Sequence, residues 1–192
     1  MVRYRVKVSV VAGITVLLAV SAGCGDAEKA AKALPTDLCA VVFDEGSAPL
    51  LSEVTLDDQQ HTHQTVRSRS EMAVCSAHGT QGQGVVSYEV EVYTFGDVGD
   101  DTAAERADAR LETECVDLAA DSSMEYADKP DGSCQAQTMA TASTSTLKAT
   151  VAIPLNDTTG YGVVTKSVGG DADLDPSDDL PALREKLEDE FN

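Results

Sequence analysis

Val86-Ser87-Tyr88-Glu89-Val90-Glu91-Val92 alternates large apolar with polar residues at every step. A β-strand sends successive side chains to opposite faces, so this stretch reads as an antiparallel strand with one face in a core and the other in water. Downstream the period changes. Thr102-x-x-Glu105 is a capping box, and Ala104, Ala107, Leu111, Cys115 and Leu118 recur at spacings of three and four. That spacing gathers them on one face of a helix over residues 103–119.

Working towards the C-terminus, Asp128 to Gly132 reads as a turn, and strands are expected near 134–141, 146–155 and 161–168. The middle one sets Leu147, Ala149, Val151 and Ile153 on one face, and Asn156 to Gly160 makes the hairpin turn after it. An acidic loop from Gly169 to Asp179 leads to a last helix with Leu183, Leu187 and Phe191 on one side. Towards the N-terminus, the three glycines of Gly79 to Gly84 mark a turn. Val66 to Ala77 suits a strand around Met72 and Val74, and Asp57 to Thr65 is polar and reads as a loop. A helical turn is expected over Ala48 to Glu53, capped by Ser47. A short helix is expected over Thr36 to Phe43, capped by Thr36 or Asp37, with Leu38, Val41 and Val42 as its apolar side. The order is helix, two strands, helix, three strands, helix. It predicts an α+β fold over residues 36–192, an antiparallel sheet of about five strands packed against helices.

The charge balance narrows function. The 192 residues carry 14 Lys+Arg against 33 Asp+Glu, a formal charge of -19. Phosphate neutralisation needs a basic face, so nucleic acid is excluded as a partner. Docking on anionic lipid through a polybasic patch is disfavoured for the same reason. A hydrophobic share of 42% supplies one core.

The first residues read as an address. Arg3, Arg5 and Lys7 precede the uncharged, largely apolar run Val8 to Val20, and Ser21-Ala22-Gly23 leads to Cys24. This is the layout of a secretory signal over residues 1–23, with an apolar run too short for a comfortable membrane span. Ser21-Ala22-Gly23-Cys24 resembles a bacterial lipobox, with Ser21 where the pattern usually has Leu, Val or Ile. The resemblance implies that Cys24 becomes the lipidated N-terminus and that the protein sits on the extracytoplasmic face of the cell membrane through that anchor. Acyl chains contribute about 0.8 kcal/mol per buried CH₂, enough for firm attachment when two or three are present. Residues 24–35 then form a flexible tether.

In an exported chain the four remaining cysteines, Cys39, Cys75, Cys115 and Cys134, suggest two disulfides. Four cysteines allow three pairings. Cys39–Cys75 with Cys115–Cys134 is favoured because each joins neighbouring elements of the expected helix-to-strand order. Structural zinc is disfavoured, since no C-x-x-C pair occurs.

A lipobox, a short polar tether, Asp37-Leu38-Cys39 opening a helix and Cys75 on a following strand resemble the small actinobacterial surface lipoproteins of unknown function, the mycobacterial Lpq type. The similarity spans roughly residues 36–192. It implies a PsbP-like α+β fold and an accessory or binding role in the cell envelope. The family often has an aromatic residue two positions after its second Cys, where this chain has Ala77.

Chemical motifs are few. Ser145-x-x-Lys148 matches S-x-x-K, but an alternating strand would send the two side chains to opposite faces, and the companion motifs are missing. His61 and His63, with Asp57 and Asp58 nearby, have no metal-site spacing, and His78 stands apart. Asp171, Asp173, Asp175, Asp178 and Asp179 evoke a calcium loop. However, Pro176 occupies the position that needs Gly and Ala182 the position that needs Glu, so these acids are expected to be solvated. Asn156-Asp157-Thr158 is a formal sequon without meaning in a bacterial lipoprotein. The expectation is a protein that is not an enzyme, with no catalytic residue, metal or cofactor. Its function would be to bind an envelope protein, or to carry a small or lipidic ligand between sheet and helix. A hydrolase with a non-motif site is the remaining alternative. A contiguous apolar cleft would favour the carrier, and convergent Ser, His and Asp side chains would favour the hydrolase.

Overall fold

The computed structural model describes residues 31, 33–43, 54–66, 69–139, 146–155, 159–170 and 176–191. Residues 1–30, with the signal and Cys24, lie outside that set, as do the helical turn expected over 48–53, Ser145, the sequon and Asp171, Asp173 and Asp175. The chain is α+β, as expected, but the sheet has seven strands rather than about five. The order is α1 (Leu38–Val42), β1 (Val54–Val66), β2 (Ser70–Gln81), β3 (Gly84–Phe95), α2 (Ala103–Ala120), β4 (Met124–Asp128), β5 (Cys134–Thr138), β6 (Thr146–Leu155), β7 (Gly160–Gly169) and α3 (Pro176–Phe191). All pairings are antiparallel, and the spatial order is β1-β2-β3-β7-β6-β5-β4.

Both extra strands are edges. The stretch Asp57 to Thr65, expected to be a loop, belongs to β1. It carries polar residues on both faces and therefore lacks the alternation that marks a half-buried strand. The five-residue β4 at the other edge is short and only partly buried. The turn expected over Gly79 to Gly84 is present but confined to Gly82 and Gln83, with Gly82 at a φ of +59°, and Gly79 itself sits inside β2. There a Cβ would lie 2.2 Å from the Thr55 carbonyl oxygen, so only glycine lets β1 approach this closely. The β1–β2 register slips at the same place, between Leu56 and Asp58.

The sheet buries both faces. On one, α1 and α3 cover Ala73, Cys75, Tyr88, Val90, Val92, Ile153 and Val164, with Leu38, Val42, Leu183, Leu187 and Phe191 supplied by the helices. Ala77 is fully buried opposite Tyr88. On the other face, α2 packs Ala103, Ala107 and Leu111 against Phe95, Ala152, Tyr161 and Val163. Here Ala103, rather than the expected Ala104, turns inward, while Ala104 is exposed. The capping box is present: Glu105 N–H donates to Thr102 Oγ1 at 3.3 Å, and Thr102 N–H donates to Glu105 Oε2 at 2.9 Å.

Both disulfides pair as the element order suggests. Cys39–Cys75 ties α1 to β2 on one face, and Cys115–Cys134 ties α2 to β5 on the other.

Candidate functional site

The seven-stranded sheet is wider than the helices that cover it. On the α1/α3 face, α3 lies across β6 and β7 and stops short of β4 and β5. The step from helix to uncovered sheet forms a cleft of about 500 Å³. Its floor is Ala149 and Val151 of β6 with Gln135 and Gln137 of β5, and its wall is Leu180, Pro181 and Arg184 of α3. These four strand residues share a face because Gln135 pairs with Val151 and Gln137 with Ala149. The side-chain amides of Gln135 and Gln137 make no hydrogen bond among the described residues, so the apolar floor carries two unengaged polar groups.

Arg184 closes one end. Its Nη2 meets Asp131 Oδ2 at 2.5 Å, its Nε meets Glu188 Oε1 at 2.9 Å, and its Nη1 donates to Ser133 Oγ at 3.2 Å. Asp131 also accepts from the Ser133 hydroxyl and backbone N–H, and these bonds together with Arg184 hold its carboxyl far below the usual range. The lattice joins α3 to the β4–β5 turn and fixes the mouth of the cleft.

Beneath the first turns of α3 lies a buried polar cluster. Lys166 Nζ and Tyr88 OH each donate to Asp179 Oδ2 at 2.7 Å. Burial, then the bond to Asp179, pushes the Tyr88 hydroxyl well above its ordinary range and keeps it a donor. Asp179 was expected among solvated loop acids, but it is inside α3 and only 2% exposed. A lone buried carboxylate would be costly, and the ammonium opposite it makes burial tenable. The signal was present in β7, where Lys166 follows Val164 and precedes Val168 at inward positions of a period-two pattern.

The other residues considered from sequence lie elsewhere. His61 is on β1, where its Nδ1 accepts from Leu38 N–H at 3.1 Å, so it holds α1 to the sheet edge instead of lining a solvated loop. Lys148 is exposed on β6. On the opposite face, away from α2, cross-strand pairing sets Asp58, His78, Ser87, Ser167 and Lys148 in one row, and His78, Ser87 and Ser167 line a depression of about 400 Å³. No hydrogen bond joins these side chains. Strands β2, β3 and β7 are paired on both sides, which commits their amides to the sheet and leaves no donor pair for an oxyanion. Nearer α2, Tyr93 stacks on Tyr161 at 4.7 Å and donates to Glu91, whose carboxyl is raised by burial and by the Glu89 and Glu114 charges. No group of three or more candidate metal ligands occurs among the described residues. No helix among them is long and apolar enough to cross a membrane.

Neither a protein-family model, a curated protein nor a solved structure matches the chain.

Proposed function

We propose that this chain is a lipid-anchored, non-catalytic binding protein of the bacterial cell envelope. Its folded domain takes a small, largely apolar ligand in the cleft between α3 and strands β5 and β6. The observation that carries this reading is the cleft itself. Its volume of about 500 Å³ falls in the range of small-molecule sites. Ala149, Val151, Leu180 and Pro181 offer an apolar bed, and Gln135 and Gln137 offer amides to orient a polar end. Anchoring at Cys24 rests on the charged, apolar and small-residue segments that precede it. The accessory role implied by the resemblance to small actinobacterial lipoproteins agrees with a binding domain held at the membrane.

A dansyl-labelled undecanoic acid tests the cleft. It should bind the wild-type protein with a fluorescence rise, and Val151→Trp, which fills the floor, should abolish that rise while the thermal midpoint shows a folded domain. Equal probe binding by both proteins would sink the carrier reading. Metabolic labelling with an alkyne fatty acid tests the anchor. Label should enter wild type and not Cys24→Ala, and an unlabelled wild-type chain would remove the anchor.

A further inference from the structure

The cleft between α3 and strands β5 and β6 has a polar end whose chemistry is narrower than that of its apolar bed. Cross-strand pairing lays Glu125, Gln137, Ala149 and Lys166 in one row, with Ala127, Gln135, Val151 and Val164 in the next. Residues directly opposite in an antiparallel sheet share a face, so both glutamines rise from the floor between small or apolar neighbours. They stand two residues apart on β5, about 6.8 Å along the strand. Neither carboxamide has a hydrogen-bond partner among the described residues.

The charges around this floor are either committed or negative. At the inner end Lys166 is paired with Asp179. On the wall Arg184 is paired with Asp131 and Glu188. At the outer end, one strand from Gln137, Glu125 is exposed and has no ion pair among the described residues. Lys129 is the lining cation left without an ion pair among those residues. It is exposed in the β4–β5 turn, where water and salt screen it. The whole chain carries -19. An anionic head group entering here would meet Glu125 and a repulsive field, with one solvated ammonium to offset them. The wall also favours a donor, because Pro181 has no N–H to give the Ser177 carbonyl one turn earlier.

A carboxamide offers donors and an acceptor together. An amide lying between Gln135 and Gln137 can accept from the Nε2 of one and donate to the Oε1 of the other. A carboxylate has no proton to give and can answer only the Nε2 groups. We propose that the ligand of this cleft is an acyl amide, its chain on the bed of Ala149, Val151 and Leu180 and its amide group held between Gln135 and Gln137. The proposal rests on the carrier reading of the same cleft and adds the polar end that the cleft selects.

Hexanamide and hexanoate have equal chains and test it. Each is titrated at neutral pH into the full chain in lipid nanodiscs and followed by NMR at the backbone amides of Ala149 and Val151. Hexanamide should bind about tenfold more tightly, the effect of two hydrogen bonds of ordinary worth. Gln135→Met with Gln137→Met keeps the side-chain length and removes both amides. That variant, with an unchanged thermal midpoint, should lose about the same tenfold for hexanamide and nothing for hexanoate. Glu125→Gln should strengthen hexanoate binding several-fold. Hexanamide binding that survives the double Met substitution would overturn the proposal. Hexanoate binding as tight as that of hexanamide to the wild-type chain would do so too, and its loss in Lys129→Gln would assign the head group to the rim ammonium. If neither probe moves the Ala149 and Val151 signals, the carrier reading itself falls, and this proposal with it.

Discussion

The Lys166 ammonium lies 2.7 Å from Asp179 Oδ2, with the two side chains 1% and 3% exposed. Pairs buried this deeply are costly to break and cheap to replace. Lys166→Met should destabilise the domain by roughly 3–5 kcal/mol, because it strands a carboxylate under α3. Replacing the whole cluster, as Lys166→Met with Asp179→Leu and Tyr88→Phe, should recover most of that loss. Urea unfolding midpoints of the two variants would decide it, and a triple variant no better than the single one would show that the cluster stabilises on balance.

The disulfides should differ in worth. Cys39–Cys75 spans 36 positions and Cys115–Cys134 spans 19. Loop-closure entropy then assigns about 4 and about 3 kcal/mol to them. Paired Cys→Ala variants, unfolded in urea without reductant, should follow that ranking.

Glu91 should make stability depend on pH in a predictable direction. Burial raises its carboxyl above the ordinary value, the Tyr93 hydrogen bond opposes this, and Glu89 and Glu114 add to the rise. The folded state therefore binds the proton more tightly than the unfolded state, and stability falls as pH rises through the folded value. Glu91→Gln keeps an acceptor for Tyr93 and removes the charge. Its thermal midpoint should exceed that of wild type at neutral pH, and the gap should close below about pH 4, where the carboxyl is protonated in both states. A pH-independent gap would assign the effect to packing.

Gly79→Ala should separate the start of β1 from β2. Its Cβ would stand 2.2 Å from Thr55 O and 2.9 Å from Thr55 C, and backbone cannot yield as a flexible side chain does. A loss of about 1–3 kcal/mol is expected, with faster amide exchange concentrated in Val54 to Asp58. Gly82→Ala, in the turn beyond, meets no atom within 4 Å and should lose only the cost of its positive φ, about 1 kcal/mol.

The elements that read correctly from sequence are those with one face in the core. Val86 to Val92, the helix from Thr102, and Leu183, Leu187 and Phe191 each show a period that burial imposes. The edge strands β1 and β4 escaped because one has polar residues on both faces and the other is half-buried over five residues. Gly79 looked like a turn because glycine serves sharp turns and close backbone approach equally well. The floor of the cleft was legible in part, since Ala149 and Val151 already stood on an inner face. Its wall was not, because how far α3 reaches across the sheet is set by packing between elements distant in sequence.

The Cys39–Cys75 bridge also decides how the domain bears tension. A pull on the chain from before Leu34 enters at Cys39 and crosses the sulfur link directly to β2, next to the edge strand. The edge strand β1 lies wholly inside the bypassed loop, so load does not pass through it. In a force-spectroscopy trace, the 36-position loop should stay hidden until reductant is added. It should then lengthen the unfolded chain by about 120 Å at the usual span of ~3.4 Å per extended residue.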